Sequence, residues 1–559
     1  MKLNEKWGWF LGFTAVFAAL AGFVFWGTWS LDFAPVMPDD AGLKPQTYGE
    51  VLSVWWRNFL LTGRVQPTDL LWSGLLGSPY FCKELKYAFA LYLSAIGLFW
   101  FLRGRGLSRL ASYGAGLLLA FCGYWCTLFS AGHGGWFIWM SYGVFAFGLV
   151  DRAVRCANIR YWLLLGVSVA WASFYQPDLW LLFAVLTSAY VVWCCVRECR
   201  FPWKGMLFAA VVFFLVGAPS IQGAFCGALA GRDKQIEEGQ TVDPSVTDER
   251  EKRWIFVTNW SLPPSETAEF FIPRLNGDTS CPMTLSLGAR YGTGVKQYTG
   301  ALGRPKDAPA GNYRQHSLYV GFVTCILAAL GGLAGLGSLA GFEIKHSNTQ
   351  TLKHSRSDIL FFLVAALLCW LFSMGRYCEP VYRVIFSLPF GDYLRAPVKW
   401  HHLTEFSICV LAGYGIECLG GLGVWKVWKV EKFAPWILGA VVLVGAIDLA
   451  RVDHLYCAPV DLREAKRQNA GLQMTFLRKS DFNNPQVAAM VKAKRIVALA
   501  QPNPEMYLVG VLNTWGPHKD KPWPPMGFPT WLGIISVLTS LAVAGASIGM
   551  VAGKGNWQI

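Results

Sequence analysis

Charge is what this chain has least of. Lys, Arg, Asp and Glu make up 15% of its 559 residues, 54% are apolar, and the mean hydropathy is +0.36. A soluble globular domain carries about a quarter of its residues charged, so that class is excluded and an integral membrane protein is expected. Other absences narrow the reading further. No G-x-x-x-x-G-K-S/T phosphate loop occurs, so nothing points to nucleotide-driven chemistry. The fifteen cysteines form no disulfide framework: Cys122, Cys126, Cys194, Cys195 and Cys369 lie inside apolar runs, where they act as small hydrophobes. Those expected outside the bilayer, Cys82, Cys226, Cys281, Cys378 and Cys457, are odd in number and widely spaced, which leaves room for one pair. His401, His402 and His454 lack a zinc-site spacing, so no structural metal is assigned.

What the chain does have is a succession of apolar runs, each near the roughly 20 residues that a helix needs to cross a bilayer. The first, 7–29, is too long and too Trp-rich for a cleaved signal peptide, and no small-residue cleavage site follows it, so it is expected to stay as a span. The others fall at 87–102, 110–130, 134–150, 161–175, 179–195, 205–226, 317–340, 358–375, 402–422, 435–451 and 530–552. The fold class expected is therefore an all-α polytopic membrane protein of about twelve transmembrane helices.

Alternate connections are short and cationic: RGRGLSR, DRAVRCANIR, VRECRFPWK, FEIKHSNTQTLKHSRSD and VWKVWKVEK. Positive loops stay in the cytoplasm, which places both termini on the cytoplasmic side and accounts for the net charge of +14 without any nucleic acid. The long connections, 30–86, 227–316 and 452–529, then face outward. Long connections are usually functional, so chemistry is expected on that side. The chain divides into a first transmembrane module with its outer loop (1–226), a large outer loop (227–316), a second module (317–451), a third outer loop (452–529) and a last span with a cytoplasmic tail (530–559). Within the first outer loop, 47–61 carries apolar residues at helical spacing with Trp55, Trp56 and Arg57, a helix suited to the membrane surface beside a lipid entrance. A packed juxtamembrane helix fits the same pattern.

Candidate reactive groups lie on the outer side. Asp39 and Asp40, with Asp32 nearer the membrane, are carboxylates that could deprotonate an acceptor hydroxyl; Pro38-Asp39-Asp40-Ala41-Gly42 is equally ordinary turn chemistry. His133 sits in the hairpin Ala131-Gly132-His133-Gly134-Gly135, where it can meet a phosphate, a metal or a neighbouring loop. Gln176-Pro177-Asp178 forms another hairpin, in which Asp178 either seeks a cation or serves the start of the next helix. Arg395 and Lys399 are cations against the usual charge bias of that side, and a lipid phosphate, anionic headgroups or an Asp partner would each explain them. Trp260 to Thr267 reads as the opening of a helix with Ser265 as cap.

Several of these stretches together resemble the YfhO-type family of bacterial membrane proteins. The matching text is Trp260-Ser-Leu-Pro-Pro-Ser-Glu266 with Phe271-Ile-Pro-Arg-Leu-Asn-Gly277, Leu318-Tyr-Val-Gly321, Leu394-Arg-Ala-Pro-Val-Lys399 and Leu411-Ala-Gly-Tyr-Gly-Ile-Glu417. The Gly132-His133 and Gln176-Pro177 hairpins also match, so the similarity runs in order over most of the chain. The resemblance implies a GT-C-like glycosyltransferase that uses a polyprenyl-phosphate sugar at the outer face and passes it to a cell-envelope acceptor. It assigns the base to Asp40 first, then Asp39 or Asp32. His133, Gln176, Asp178, Arg395 and Lys399 fall to donor phosphate or substrate, with a divalent metal such as Mg or Mn as an optional cofactor. The competing function is a transporter or lipid flippase, which would place ionisable groups at the midplane and show two similar halves. Asp178, Glu405 and Asp448 fall nearer span ends and no repeat is evident, which favours the enzyme over transport and over a non-catalytic assembly protein.

Overall fold

The computed structural model describes residues 2–26, 33–34, 48–64, 79–156, 158–174, 177–231, 248–277, 300–302, 317–337, 349–388, 391–421, 432–457, 460–503, 506–512 and 522–552. The chain opens with α1 (Lys2–Val24), a two-residue strand β1 (Phe33–Ala34), α2 (Tyr48–Thr62) and α3 (Pro79–Gly104). It continues through α4 (Arg109–Ala120), α5 (Gly123–Ala131), α6 (Gly134–Cys156), α7 (Ile159–Ala172), α8 (Pro177–Arg197) and α9 (Trp203–Gly231). After α10 (Glu249–Val257) and a 3-10 turn (Pro264–Phe270) come α11 (Phe322–Gly337), α12 (Thr349–Ser373), α13 (Glu379–Ser387), α14 (His401–Gly421) and α15 (Ala434–Cys457). The last stretch holds β2 (Val460–Asp461), α16 (Arg463–Gln468), β3 (Gln473–Arg478), α17 (Pro485–Lys492), β4 (Ile496–Asn503), β5 (Met506–Val511) and α18 (Phe528–Ala552).

This is a membrane protein. Among the described residues, eight helices are long and apolar enough to cross a bilayer, or nine if α4 and α5, bent 47° at their junction, act as one broken span. The runs at 161–175 and 317–340 are shorter as helices than the sequence implies, at Ile159–Ala172 and Phe322–Gly337. The run at 110–130 is two helices rather than one, broken at Phe121 and Cys122. Local capping fits these starts: Ser108 Oγ accepts from Ala111 N at the head of α4, and Asn158 Oδ1 from Arg160 N at the head of α7.

Helix packing relies on glycine where backbones touch. A Cβ at Gly331 of α11 would stand 2.1 Å from the Leu411 carbonyl oxygen of α14, and one at Gly415 of α14 would stand 1.9 Å from that of Leu327. Small residues allow this approach in a bilayer, where apolar burial alone does not drive helices together.

One end of the bundle is held by buried ions. Arg105, just past α3, pairs with Asp151 of α6 at 2.7 Å and with Asp358 of α12 at 2.7 Å. Asp358 also receives Arg197 of α8 at 2.6 Å, and Asp151 receives Arg155. Tyr190 and Tyr414 complete the cluster through their hydroxyls. Sequence reasoning assigned these charges to connecting loops. The fold turns Arg105, Asp151, Arg197 and Asp358 inward because each then finds a partner that offsets its desolvation.

The long connections share the opposite end. β1 pairs antiparallel with β2, Phe33 facing Asp461, so the first outer connection is tied to the third. Arg57 of α2 donates to the Pro522 carbonyl, and Thr530 Oγ1 to that of Leu60. The all-α expectation needs one correction here: β3, β5 and β4 form a three-stranded antiparallel sheet in that order. Leu462, Met474, Phe476 and Leu508 pack together in one cluster, and Leu477, Val487, Met490 and Val509 in another. The period-2 alternation of Met474 and Phe476 against Leu477 was the signal for it.

Replacing Arg105 by Leu leaves two buried carboxylates short of a partner, and the protein is expected to lose about 3–5 kcal/mol of stability. Unfolding of the purified protein in mixed micelles checks this, and an unchanged midpoint would show that the cluster contributes nothing.

Candidate functional site

Three irregular segments meet at the loop end of the bundle, and they are the stretches on which the family resemblance rests. Ala396 N donates to the Val257 carbonyl and Val398 N to that of Trp260, each at 2.9 Å. Leu262 N reaches the Ser373 carbonyl at 2.8 Å, and Val320 N that of Phe270 at 3.1 Å. Gly123 N donates to the Tyr319 carbonyl at 2.8 Å, which attaches the same assembly to the α4/α5 break. Buried non-helical backbone groups need partners, and these bonds supply them. Ala396 holds φ +63°, a left-handed conformation costly for a residue with a Cβ, which turns the chain into the 397–400 turn ahead of α14. Gly375, at φ +46°, is pressed against Ser261 and Pro397, where a Cβ would collide with both. Tyr382 donates to the Leu394 carbonyl at 3.0 Å, and burial pushes its phenol above the ordinary value.

Inside this frame stand the side chains. Lys399 is 8% exposed; His401, His402 and Glu405 are fully buried on the first turns of α14. The His402 ring stacks on Tyr124, with centroids 4.1 Å apart and an 11° tilt, and meets Trp125 edge-on. His401 lies against Phe270 at 4.3 Å, and its Nε2 is 3.6 Å from Glu405 Oε1. That same oxygen accepts Tyr124 N at 2.9 Å, so Glu405 closes the N-terminus of α5 just past the break. A carboxylate there is favoured by the helix dipole as well as by the amide. Asp453 of α15 is buried beside the Cys126 thiol of α5. His133 and Lys399 both lie near His402.

The predicted residues separate into groups. His133 and Lys399 come together at this end, beside the histidine pair. Arg395 is exposed and lies over the Phe256 ring at 4.6 Å, on the rim. Asp178 is the second residue of α8, consistent with a helix start. Asp32, Asp39, Asp40 and Gln176 lie outside the described residues; the adjoining Phe33–Ala34 strand sits at the same end through β2. Ser265 is not a cap: the segment is a 3-10 turn entered through Pro263, which makes no side-chain cap. The buried acid of that segment, Glu266, instead accepts Ala301 N and Leu302 N at 2.7 and 3.1 Å. Among the described residues no group of three or more His, Cys, Asp or Glu side chains is arranged to hold a metal ion, so no step is assigned to one.

Sequence reasoning weighed His401 and His402 only as zinc ligands and passed over Tyr124 and Asp453. Adjacent histidines at the head of an apolar run, and a glycine interrupting another run, were the available signals. Asp448, weighed as a midplane ion, accepts the Tyr319 hydroxyl and pairs with Arg451.

No family model matches this chain, and no curated protein does. Among solved structures, the crystal structure of ArnT from Cupriavidus metallidurans bound to undecaprenyl phosphate is similar over 89% of this chain and 98% of that one, with 12% sequence identity and a TM-score of 0.30. At those values the likeness carries no argument.

Glu405→Gln keeps an oxygen for the Tyr124 amide, whereas Glu405→Leu strands it. The Leu variant is expected to fall below the Gln variant by about 1–3 kcal/mol. Thermal unfolding of the purified proteins reads the difference, and equal midpoints would remove Glu405 as the closure of the break.

Proposed function

We propose that this protein is a GT-C-like membrane glycosyltransferase of the YfhO type. It moves a sugar from a polyprenyl-phosphate donor to a cell-envelope acceptor at the face where its long connections gather. The observation that carries this reading is the convergence of residues 257–270, 317–321 and 394–402, distant in sequence, on one hydrogen-bonded assembly holding Lys399, His401 and His402 beside His133. A structural role for each segment would not require that cations and histidines gather with them.

The chemistry asks for positioning more than for covalent steps. A carboxylate of the first outer connection, Asp40 before Asp39 or Asp32, takes the proton of the acceptor hydroxyl as its oxygen attacks the anomeric carbon. The bond from that carbon to the phosphate oxygen breaks through an oxocarbenium-like state, and the phosphate leaves with the electron pair. Lys399, with Arg395 at the rim, stabilises the charge that develops on the leaving phosphate. His133 supplies a further contact to phosphate or acceptor. Direct attack inverts the anomeric configuration. This face is outward in a bacterial cytoplasmic membrane on the loop charges alone.

One observation favours a second reading. The α4/α5 pair is a broken span whose break faces the buried acids Glu405 and Asp453, an arrangement that proton-coupled transporters use.

The test is release of free polyprenyl phosphate from labelled polyprenyl-phosphate sugar, in membranes holding wild type, Asp39→Asn, Asp40→Asn or Lys399→Met. One Asn variant is expected to lose roughly 10²–10⁴-fold, and Lys399→Met about 10²-fold, while each remains folded. No turnover by wild type across several donors, together with proton uptake by proteoliposomes that Glu405→Gln abolishes, would replace this reading with transport.

A further inference from the structure

Among the described residues Arg64 is a cation with no counter-charge. It follows Gly63, the left-handed residue (φ +65°) that ends α2, and its place is fixed from two sides. A Cβ on Gly63 would stand 1.9 Å from the Pro529 carbonyl oxygen, so the turn is locked against the head of α18. Beyond the turn the guanidinium lies against α9, where a Cβ on Gly223 would stand 2.5 Å from its Nη2. The glycine makes a notch that the guanidinium fills. Its Nε is buried with no hydrogen-bond partner, and no ion pair to Arg64 occurs among the described residues. Burial alone acts on its pKa, lowering it, yet a guanidinium does not give up its proton in a protein. The charge must be met from outside the described chain.

The surroundings say what can meet it. α2 carries Trp55, Trp56 and Phe59 as mutually stacked rings, and Arg57 lies over Trp523 at 5.1 Å. Such an aromatic belt marks the level of lipid headgroups, and Arg64 sits at the end of it. The group at that level with the oxygen geometry to match a guanidinium fork is a phosphate. Lys399 and Arg395, the cations that sequence reasoning chose, each have interactions within the protein.

We propose that Arg64, seated in the Gly223 notch, binds the phosphate of a lipid. A polyprenyl phosphate and an ordinary anionic phospholipid carry the same group. Identifying it with the polyprenyl phosphate rests on the transferase reading; the phosphate seat itself does not.

Native mass spectrometry of the purified full chain in detergent separates these cases, with undecaprenyl phosphate, phosphatidylglycerol and, as the uncharged control, undecaprenol as added probes. Wild type is expected to retain the phosphate-bearing probes over undecaprenol, and Arg64→Met to lose at least about tenfold in their affinity, with undecaprenol unaffected. Arg64→Lys should keep part of the binding. Gly223→Ala, which displaces the guanidinium without removing it, should weaken the same probes and keeps the test sound if Arg64→Met does not fold. Preference for undecaprenyl phosphate over phosphatidylglycerol supports a polyprenyl lipid as the occupant; equal retention supports the seat with bulk lipid in it. Unchanged affinity in folded Arg64→Met and Gly223→Ala overturns the proposal. Binding through Arg64 by a chain that never releases polyprenyl phosphate would sink the transferase reading and leave the seat standing.

Discussion

Buried backbone groups that leave helical geometry must find partners in the protein, and the loop end of this bundle is built around that constraint. Residues 258–262 and 394–398 are irregular and bond to each other's ends, and 317–321 bonds to Phe270 and Gly123. The break between α4 and α5 obeys the same rule, with one amide taken by the Tyr319 carbonyl and the next by the Glu405 carboxylate. These bonds place the lysine and the histidines, because Lys399, His401 and His402 follow within a few residues of Ala396 and Val398. The strained φ of Ala396 persists because bonds on both sides hold it.

The two ends of the bundle treat charge differently. At the end away from the long connections, Arg105, Arg155 and Arg197 share Asp151 and Asp358 in a cluster that satisfies itself. Tyr414, part of that cluster, lies roughly 20 Å along α14 from His401 at 1.5 Å per residue. At the loop end Glu266, Glu269 and Glu405 are taken by backbone amides, while Glu251 and Glu379 pair with Arg383 and Asp448 pairs with Arg451. Arg64, half-buried and without an ion pair among the described residues, is the cation suited to an anionic lipid.

The helices were legible because a span needs only composition and length, and α2 because its Trp and apolar residues repeat at helical spacing. The amphipathic α2 starts within a residue of the expected 47. What sequence could not show is which charges turn inward: Asp151 and Asp358 sit among Arg and Lys that read as solvated loop residues. The meeting of residues 257–270, 317–321 and 394–402 was hidden for the same reason, since it depends on bonds between residues fifty or more positions apart. Ser265 misled because the Pro-Pro pair before it enters a tight turn rather than an α-helix. The small sheet was missed because β4 and β5 are short runs of mostly apolar residues, IVALA and MYLVGV, which periodicity alone does not separate from buried helix. Arg64 gave no signal at all, as its isolation is a property of its neighbours on α9 and α18.

The central claim is that a lipid phosphate works at the loop end. A photoactivatable polyprenyl-phosphate analogue, crosslinked to the protein in its membrane and mapped by peptide mass spectrometry, addresses it most directly. The account predicts label in residues 257–270 and 394–402, lost when unlabelled polyprenyl phosphate competes. Competed label confined to the opposite end, around residues 105–108 and 197–204, would contradict it.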